Sequence, residues 1–150
     1  MFIGIGISDN GIAGRLMAFD TKTGQQLRSF QTTLPDPATG APAKVGGGLW
    51  STYSLDPNTG EVFAGVANPY PLFNRDMTDV PQGSIAFTNS VISVDAASGR
   101  LNWHYQAVPQ DDHDWDLAAP PTCTTHPRRG GEGHAGDRRQ GRYCLRDRPV

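Results

Sequence analysis

The hydrophobic residues of this chain fall in short alternating runs, separated by clusters of Gly, Pro, Asn and Asp. Alternation with a period of two turns one side-chain face inward, which is typical of half-buried β-strands, and the intervening residues favour turns. The pattern predicts strands over residues 2–7, 16–19, 26–30, 61–66, 90–94 and 101–105. No helix longer than about ten residues is expected, because no segment repeats its apolar positions at helical spacing.

One short phrase, an apolar residue followed by Asp-x-x-Thr/Ser-Gly, occurs three times between strand-like runs. The copies are Asp20–Gly24, Asp56–Gly60 and Asp95–Gly99, so their aspartates are 36 and 39 residues apart. The Asp and Thr side chains can bond nearby backbone N–H groups, and Gly accepts a positive φ. A hairpin turn that recurs at this period indicates a repeated antiparallel unit such as a propeller blade.

The predicted fold class is therefore all-β, a partial β-propeller of about three four-stranded blades or parts of blades. Known propellers close with ~4–8 blades, so three repeats do not complete a ring. The chain is either a piece of a larger propeller or a unit that assembles with its own copies. We favour the piece, and assign residues 1–121 to it.

The character of the chain changes at about residue 122. Residues 122–150 hold seven Arg and five Gly, no Lys, Ile, Phe or Trp, and no copy of the repeated phrase. Two explanations stay open, a disordered basic tail or a reading-frame error. Both cysteines, Cys123 and Cys144, lie in this segment, and a disulfide between them is a further open possibility.

The charge is distributed unevenly along the chain. Residues 1–120 carry six basic and twelve acidic side chains, whereas residues 121–150 carry seven Arg and three acids. An Arg-rich end is compatible with a nucleic-acid-binding arm, but only this tail supports that function and we predict no nucleic-acid partner. The first residues alternate like a strand and lack the features of a signal peptide, and no run approaches the ~20 apolar residues that span a bilayer.

Three spaced motifs accompany the repeats. They are Gly46–Ser51 (Gly-Gly-Gly-Leu-Trp-Ser), Gly65–Pro71 (Gly-Val-Ala-Asn-Pro-Tyr-Pro) and Val108–Leu117 (Val-Pro-Gln-Asp-Asp-His-Asp-Trp-Asp-Leu). Over about residues 1–121 the combination resembles the quinoprotein dehydrogenases. These are β-propeller enzymes that oxidise alcohols, aldehydes or sugars with pyrroloquinoline quinone and a bound Ca²⁺ or lanthanide ion. The resemblance implies the same fold, cofactors and substrate class.

The resemblance assigns roles to two residues of the first two motifs. Trp50 matches the Trp on which the flat quinone stacks, and an indole face suits that role, although a Trp in the propeller core or between blades is the alternative. Asn68 matches a metal-binding Asn, and its carboxamide oxygen is a suitable ligand for Ca²⁺. A simple Asx-turn before Pro69 is the alternative for Asn68.

The third motif crowds four carboxylates into Asp111, Asp112, Asp114 and Asp116. Such a density of like charge is costly unless a cation or hydrogen bonds offset it. The resemblance implies that Asp114 is the catalytic base and a metal ligand, and that Asp116 is the extra carboxylate ligand of lanthanide-using relatives. If the segment is extended, Asp112, Asp114 and Asp116 point to one side and His113 and Trp115 to the other. A solvated acidic loop is the alternative.

Two residues depart from the family pattern. Asp9 falls where family members commonly carry a metal-binding Glu, so it is a candidate metal ligand or else a plain turn residue. Arg28 stands four residues after a turn Gly, where many repeats carry a Trp, as Trp103 does here. That Trp docks one blade against the next in the family, so we expect an altered contact at Arg28.

The leading hypothesis is therefore a fragment of a quinone-dependent dehydrogenase with an alcohol or sugar substrate. The resemblance implies an electron acceptor such as a cytochrome or quinone, a periplasmic location for the full-length protein, and further blades beyond this chain. The alternative is a non-catalytic propeller scaffold with the same repeats. A scaffold needs the repeated turns, but it does not need Trp50, Asn68 and Asp114 together.

Overall fold

The protein is all-β throughout the part of the chain that the computed structural model describes. This part comprises residues 1–6, 12–40, 46–70, 85–109, 111, 113–117, 119, 121–125 and 142–145. Its strands are β1 (Phe2–Gly4), β2 (Arg15–Phe19), β3 (Gln26–Gln31), β4 (Ser54–Asp56), β5 (Glu61–Val66), β6 (Ser90–Asp95), β7 (Leu101–Gln106), β8 (Thr122–Thr125) and β9 (Arg142–Leu145). Within these ranges no helix is long and apolar enough to cross a bilayer.

The strands form antiparallel meanders in which neighbours in sequence are neighbours in space. Strands β1-β2-β3 make one sheet, β4-β5-β6-β7 a second and β8-β9 a third. The second and third copies of the repeated phrase both lie in the four-stranded sheet, where they join β4 to β5 and β6 to β7. Each copy of the phrase therefore marks one hairpin rather than one sheet, and the three copies lie in two sheets.

All three copies of the phrase adopt the same turn, as predicted. In each turn the glycine N–H donates to the carbonyl of the aspartate, at 3.0, 2.8 and 2.8 Å in chain order. The glycines have φ of +72°, +72° and +76°, which is the left-handed region that side chains disfavour. In each turn the aspartate Oδ1 also accepts a backbone N–H from two or three residues further on. Local chemistry alone thus determines these turns.

These hydrogen bonds stabilise the charged form of the turn carboxylates. The pKa of Asp20 is lowered, first by the backbone N–H of Thr23 and then by that of Lys22. The pKa of Asp95 is lowered, first by the hydroxyl of Ser98 and then by its backbone N–H. Both carboxylates are solvent-exposed, so water screens their charges. Each carboxylate therefore stabilises only its own turn.

The hydrophobic core joins the three-stranded and four-stranded sheets. Leu16 of β2 packs in one buried cluster with Val62 and Ile92 of the larger sheet and with Leu49. This pattern follows from the strand alternation, since Leu16 and Ala18 are the buried positions of β2. The central strand β5 instead reads as a nearly continuous buried run.

A second contact between these two sheets involves Arg28 and the third turn. A Cβ placed on Gly99 would lie 3.1 Å from Cβ of Arg28 and 3.3 Å from its Cδ, so the aliphatic part of Arg28 covers the glycine. The guanidinium also contributes to the lowered pKa of Asp95. Arg28 thus contacts the other sheet at the position where many repeats of the family carry a Trp. This is the altered contact expected from the sequence.

Part of the predicted tail is paired in the structure. Strands β8 and β9 lie antiparallel, with Cys123 opposite Cys144. β-Branched Thr residues favour the extended conformation of β8. The rest of 122–150 lies outside the described residues, so the predicted disorder of the tail stays a prediction. Whether the segment is a frame-shift product, and whether the cysteines form a disulfide, stay predictions.

Candidate active site

The Gly46–Trp50 segment crosses between the two larger sheets, and its glycines permit unusually close approach. A Cβ on Gly46 would lie 2.6 Å from the backbone N of Tyr70, and one on Gly47 would lie 2.7 Å from Oγ1 of Thr32. Gly46 and Gly47 also have φ of +120° and +66°. Since both space and conformation exclude a side chain, only glycine fits at these two positions.

This segment is hydrogen-bonded to both sides. The N–H of Gly47 donates to the carbonyl of Asn68 at 2.8 Å, and the N–H of Ala67 donates to the carbonyl of Gly48 at 2.8 Å. The N–H of Leu49 donates to the carbonyl of Ile5 at 2.8 Å. As a result the first two sequence motifs lie side by side, although about twenty residues separate them in the chain.

Trp50 is the last residue of this segment, and 50% of its surface is exposed to solvent. Its backbone is fixed by the preceding hydrogen bonds, and Gly6 lies so close that a Cβ there would be 3.0 Å from Cβ of Trp50. A large, immobilised and solvent-facing indole is unusual for a core residue and provides a flat surface for a planar ligand. Whether Trp50 stacks on a quinone or packs in the core or between blades stays a prediction.

Asn68 is almost completely buried, with 2% exposure. Its Nδ2 donates to the carbonyl of Pro69 at 2.9 Å. The restriction that Pro69 places on the preceding residue keeps Asn68 out of the helical region. Asn68 is thus a fixed element of the site.

Asp116 joins these two residues. Its Oδ2 accepts the indole N–H of Trp50 at 3.1 Å, and its Oδ1 accepts the backbone N–H of Asn68 at 2.9 Å. The three residues are 66 and 48 positions apart in the chain. Tertiary structure therefore assembles Trp50, Asn68 and Asp116 into one cluster, which is half-buried and open to ligands on the Trp50 side.

The acidic loop that carries Asp116 is curled, so the extended arrangement considered from sequence is wrong. Asp114 has a φ of +65°, which breaks the alternation of a strand. The buried Asp111 carboxylate accepts the backbone N–H groups of His113 at 2.8 Å and Trp115 at 2.7 Å, which bends the chain around it. The rings of His113 and Trp115 stack with centroids 4.6 Å apart.

Asp114 lies on the exposed side of this loop. Partial loss of hydration, followed by the negative charges of Asp116 and Asp111, raises the pKa of the Asp114 carboxyl. Among the described residues no hydrogen bond links Asp114 to Trp50 or Asn68. The structure thus brings together Trp50, Asn68 and Asp116, while Asp114 is an electrostatic neighbour of that cluster.

The remaining predicted ligand, Asp9, lies outside the described residues, as does Asp112. Within the described ranges no group of three or more His, Cys, Asp or Glu side chains could hold a metal ion. Asn68 and Asp116 nevertheless offer the carboxamide and carboxylate oxygens that Ca²⁺ prefers. Because Ca²⁺ takes about 6–8 oxygens, these two residues fit as part of a ligand set. The exposed face of Trp50 fits a planar quinone.

Sequence reasoning missed the part played by Asn89. This residue is fully buried, and its Nδ2 donates to Asp111 Oδ2 at 2.9 Å and to the carbonyl of Trp115 at 2.7 Å. The only available signal was a polar Thr-Asn-Ser run at the start of a predicted strand. Asp111 was recognised as one of four crowded carboxylates, but not as the buried residue that organises their loop.

Comparison with known proteins gives a consistent result. The family model of the PQQ β-propeller domain of glucose, ethanol and alcohol dehydrogenases matches residues 3–135. Quinohemoprotein alcohol dehydrogenase ADH IIB of Pseudomonas putida is 28% identical over 142 residues, covering 83% of this chain and 20% of that protein. Methanol dehydrogenase [cytochrome c] subunit 1 of Methylorubrum extorquens is 30% identical over 143 residues, covering 79% of this chain and 22% of that protein.

Solved structures show the same fold. The quinohemoprotein alcohol dehydrogenase from Comamonas testosteroni superposes with a TM-score of 0.72 at 20% identity, over 86% of this chain and 22% of that one. A europium-containing methanol dehydrogenase gives a TM-score of 0.71 at 22% identity, over 87% of this chain and 27% of that one. The chain thus spans about a fifth of the length of the curated relatives it matches.

Proposed function

Because the chain belongs to the family of PQQ-dependent dehydrogenase β-propellers, we propose that it supplies part of the active site of an enzyme that oxidises an alcohol, aldehyde or sugar. The observation that carries the proposal is the Asp116 carboxylate, held between the Trp50 indole and the Asn68 backbone. A scaffold propeller needs the repeated turns but has no use for this cluster. The active species in this proposal is the complete propeller, of which this chain is one segment.

When bound, pyrroloquinoline quinone would supply the two-electron chemistry of a hydride acceptor. The exposed face of Trp50 provides the surface on which the planar ring system stacks. The indole N–H is bonded to Asp116, so the ring cannot rotate without loss of that hydrogen bond. Trp50 therefore acts by orienting a flat ligand beside the carboxylate.

Asn68 and Asp116 would hold the metal ion, Ca²⁺ or a lanthanide. Both present hard oxygen atoms, and a carboxylate has lone pairs beyond the two that accept protein N–H groups. Asp9 and Asp114 remain proposed as further ligands, in agreement with the family resemblance. The europium named in one structural neighbour supports the inclusion of lanthanides for this fold.

A carboxylate of the acidic loop would take the proton of the substrate hydroxyl as hydride departs. The family resemblance assigns this role to Asp114, whose raised pKa suits a base. Asp116 instead contacts the residues proposed for quinone and metal, and both of its oxygens accept N–H groups. We therefore propose Asp114 as the base and Asp116 as a metal ligand that also holds Trp50 in place.

The electron acceptor would be a cytochrome or a quinone, and the complete protein would work in the periplasm. One relative carries cytochrome c in its name, which supports a redox protein as partner. A small alcohol or sugar is the proposed substrate class. The isolated 150-residue chain is not expected to turn over, since an open stack of sheets exposes strand edges and lacks the other blades.

The test compares three variants of the complete propeller, reconstituted with pyrroloquinoline quinone and either Ca²⁺ or a lanthanide. Dye-linked oxidation of primary alcohols and sugars is measured for Asp116→Asn, Asp114→Asn and Asp20→Asn. Removing a general base costs roughly 10²–10⁴ in rate, so we expect that loss for Asp114→Asn with quinone binding retained, and for Asp116→Asn a loss of activity accompanied by weaker quinone binding. The Asp20→Asn control alters a turn in the three-stranded sheet and should retain wild-type activity.

A larger loss for Asp116→Asn than for Asp114→Asn, at unchanged quinone binding, would transfer the base role to Asp116 and overturn our assignment. An inactive wild-type propeller that also fails to bind the quinone would refute the proposed enzyme and favour a scaffold. Quinone binding is followed separately by its absorption spectrum, so that loss of cofactor and loss of chemistry are distinguished.

A further inference from the structure

Two buried polar side chains lie beneath the acidic loop and outside the cluster described above. Asp111 is 3% exposed and Asn89 is 0% exposed. Asn89 lies immediately before β6 of the four-stranded sheet. Asp111 lies at the start of the loop that leads to Asp116. A buried carboxylate is costly unless hydrogen bonds compensate its charge, so its partners show what it holds in place.

All the described partners of Asp111 hold the loop. Its Oδ1 accepts the N–H of His113, and its Oδ2 accepts both the N–H of Trp115 and Nδ2 of Asn89. Hydrogen bonds to a charged group are about twice as strong as neutral ones. The carboxylate therefore fixes the chain on both sides of Asp114 and up to the residue before Asp116.

Asn89 anchors this arrangement to the sheet. Its Nδ2 donates to the carbonyl of Trp115 as well as to Asp111, while its own N–H donates to the carbonyl of Ala67 at 2.9 Å. Ala67 directly precedes the metal candidate Asn68. One residue thus links the acidic loop to the Asn68 loop from below.

The anchor is unfavourable by itself, which suggests a purpose other than stability. Asn89 has a φ of +46°, and its Oδ1 is buried without a hydrogen-bond partner among the described residues. A buried oxygen without a hydrogen-bond partner is unfavourable because it has lost its hydration. Rotation of the amide would turn Oδ1 toward the Asp111 carboxylate, so only the observed orientation is compatible with both acceptors. Strain of this kind is often stored where a site requires fixed geometry.

We propose that Asp111, anchored by Asn89, is a positioning residue that sets the Asp116 carboxylate against Trp50 and Asn68. The effect of this positioning on catalysis rests on the proposed function. The positioning itself rests on the hydrogen bonds described above. Asp20 offers a useful comparison, because it also accepts backbone N–H groups two and three residues further on. Asp20 is exposed and lacks an anchor on another strand, so it stabilises only its own turn.

The test uses Asp111→Asn in the complete propeller, with Asp20→Asn as the matched control. An amide at position 111 has a single acceptor oxygen and would turn an NH₂ group toward a backbone N–H. A misplacement of about 1 Å can cost about 10²-fold in rate, so we expect kcat to fall about 100-fold. The KM for the alcohol and the quinone absorption spectrum should change little, and Asp20→Asn should stay within twofold of wild type.

Hydrogen exchange gives a readout that does not depend on activity. In peptides covering residues 111–117 we expect exchange to accelerate at least tenfold in Asp111→Asn, and in Asn89→Ala, but not in Asp20→Asn. Unchanged exchange in Asp111→Asn overturns the proposal, as does a kcat within twofold of wild type in an active enzyme. Parallel loss of quinone binding and activity would also overturn it, because that indicates collapse of the whole site. If the wild type oxidises no substrate, the proposed function fails, and the exchange rates still decide the positioning.

Discussion

Replacement of Gly47 by Ala should destabilise the protein far more than the same change at Gly24. Both glycines have a left-handed backbone, with φ of +66° and +72°. An Ala in that conformation costs about 1–2 kcal/mol at either site. The surroundings differ, because a Cβ at Gly24 would meet nothing within 4 Å, whereas one at Gly47 would lie 2.7 Å from Thr32 Oγ1.

The crowded neighbour cannot move away at low cost. Thr32 is completely buried, and its hydroxyl donates to the carbonyl of Gly47 itself. Thr33 Cγ2 lies 3.3 Å from the same Cβ position. Overpacking in a dense interior costs about 1–3 kcal/mol. We therefore expect Gly47→Ala to lower the free energy of unfolding by about 2–5 kcal/mol, and Gly24→Ala by about 1–2 kcal/mol.

The assay is urea unfolding of the complete propeller, followed by tryptophan fluorescence. The two variants should differ in midpoint concentration at an unchanged slope, because neither alters the surface exposed on unfolding. Equal losses for both variants would refute the reasoning, since they would show that backbone conformation alone determines the cost. Because Gly47 donates to Asn68, its replacement should also weaken quinone binding, whereas Gly24→Ala should not.

Two further predictions concern the turns and the contact between sheets. The carboxylates of Asp20 and Asp95 have lowered pKa values, so their stabilisation is present above the ordinary value of 3.8 and is lost as pH falls through the lower folded values. Thermal scans between pH 5 and pH 2 should therefore show a smaller acid-induced decrease in Tm for Asp20→Asn than for wild type, and an equal decrease would contradict this. Arg28→Ala should lower Tm slightly, with the electrostatic part of the loss vanishing in high salt, whereas Arg28→Trp should restore the packing on Gly99. A loss that is independent of salt in Arg28→Ala would show that the aliphatic contact alone matters.

Most of the fold was predictable because it is encoded locally. Alternating apolar positions and the Asp-x-x-Thr/Ser-Gly turns involve residues within a few positions of one another, and they act the same way wherever the hairpin lies. The distribution of hairpins among sheets was not predictable in this way. The second and third copies share a sheet because β5 pairs with β6, a contact that depends on the chain across residues 67–89.

The candidate site was likewise predictable only in part from the sequence. Residue types in three motifs, together with a family resemblance, selected Trp50, Asn68, Asp114, Asp116 and Asp9 as candidates, and the structure joins Trp50, Asn68 and Asp116 by hydrogen bonds. Their mutual hydrogen bonds span 66 and 48 residues, and no local rule gives the distance between groups so far apart in the chain. The resemblance gave Asp114 and Asp116 different roles, but it did not predict how the loop places them. The curled loop, with Asp114 at a positive φ, leaves Asp116 in contact with Trp50 and Asn68 and puts Asp114 on its exposed side.

The sequence by itself determined a repeated antiparallel unit, because each turn is stabilised by hydrogen bonds that the Asp, Thr or Ser, and Gly of one phrase can make alone. Tertiary structure decided which polar residues meet. Asp111 resembles Asp114 and Asp116 in the chain, yet among these three it alone is buried. A buried carboxylate must be surrounded by donors, and in this protein those donors are Asn89, which directly precedes β6, and the backbone of the loop that carries Asp116.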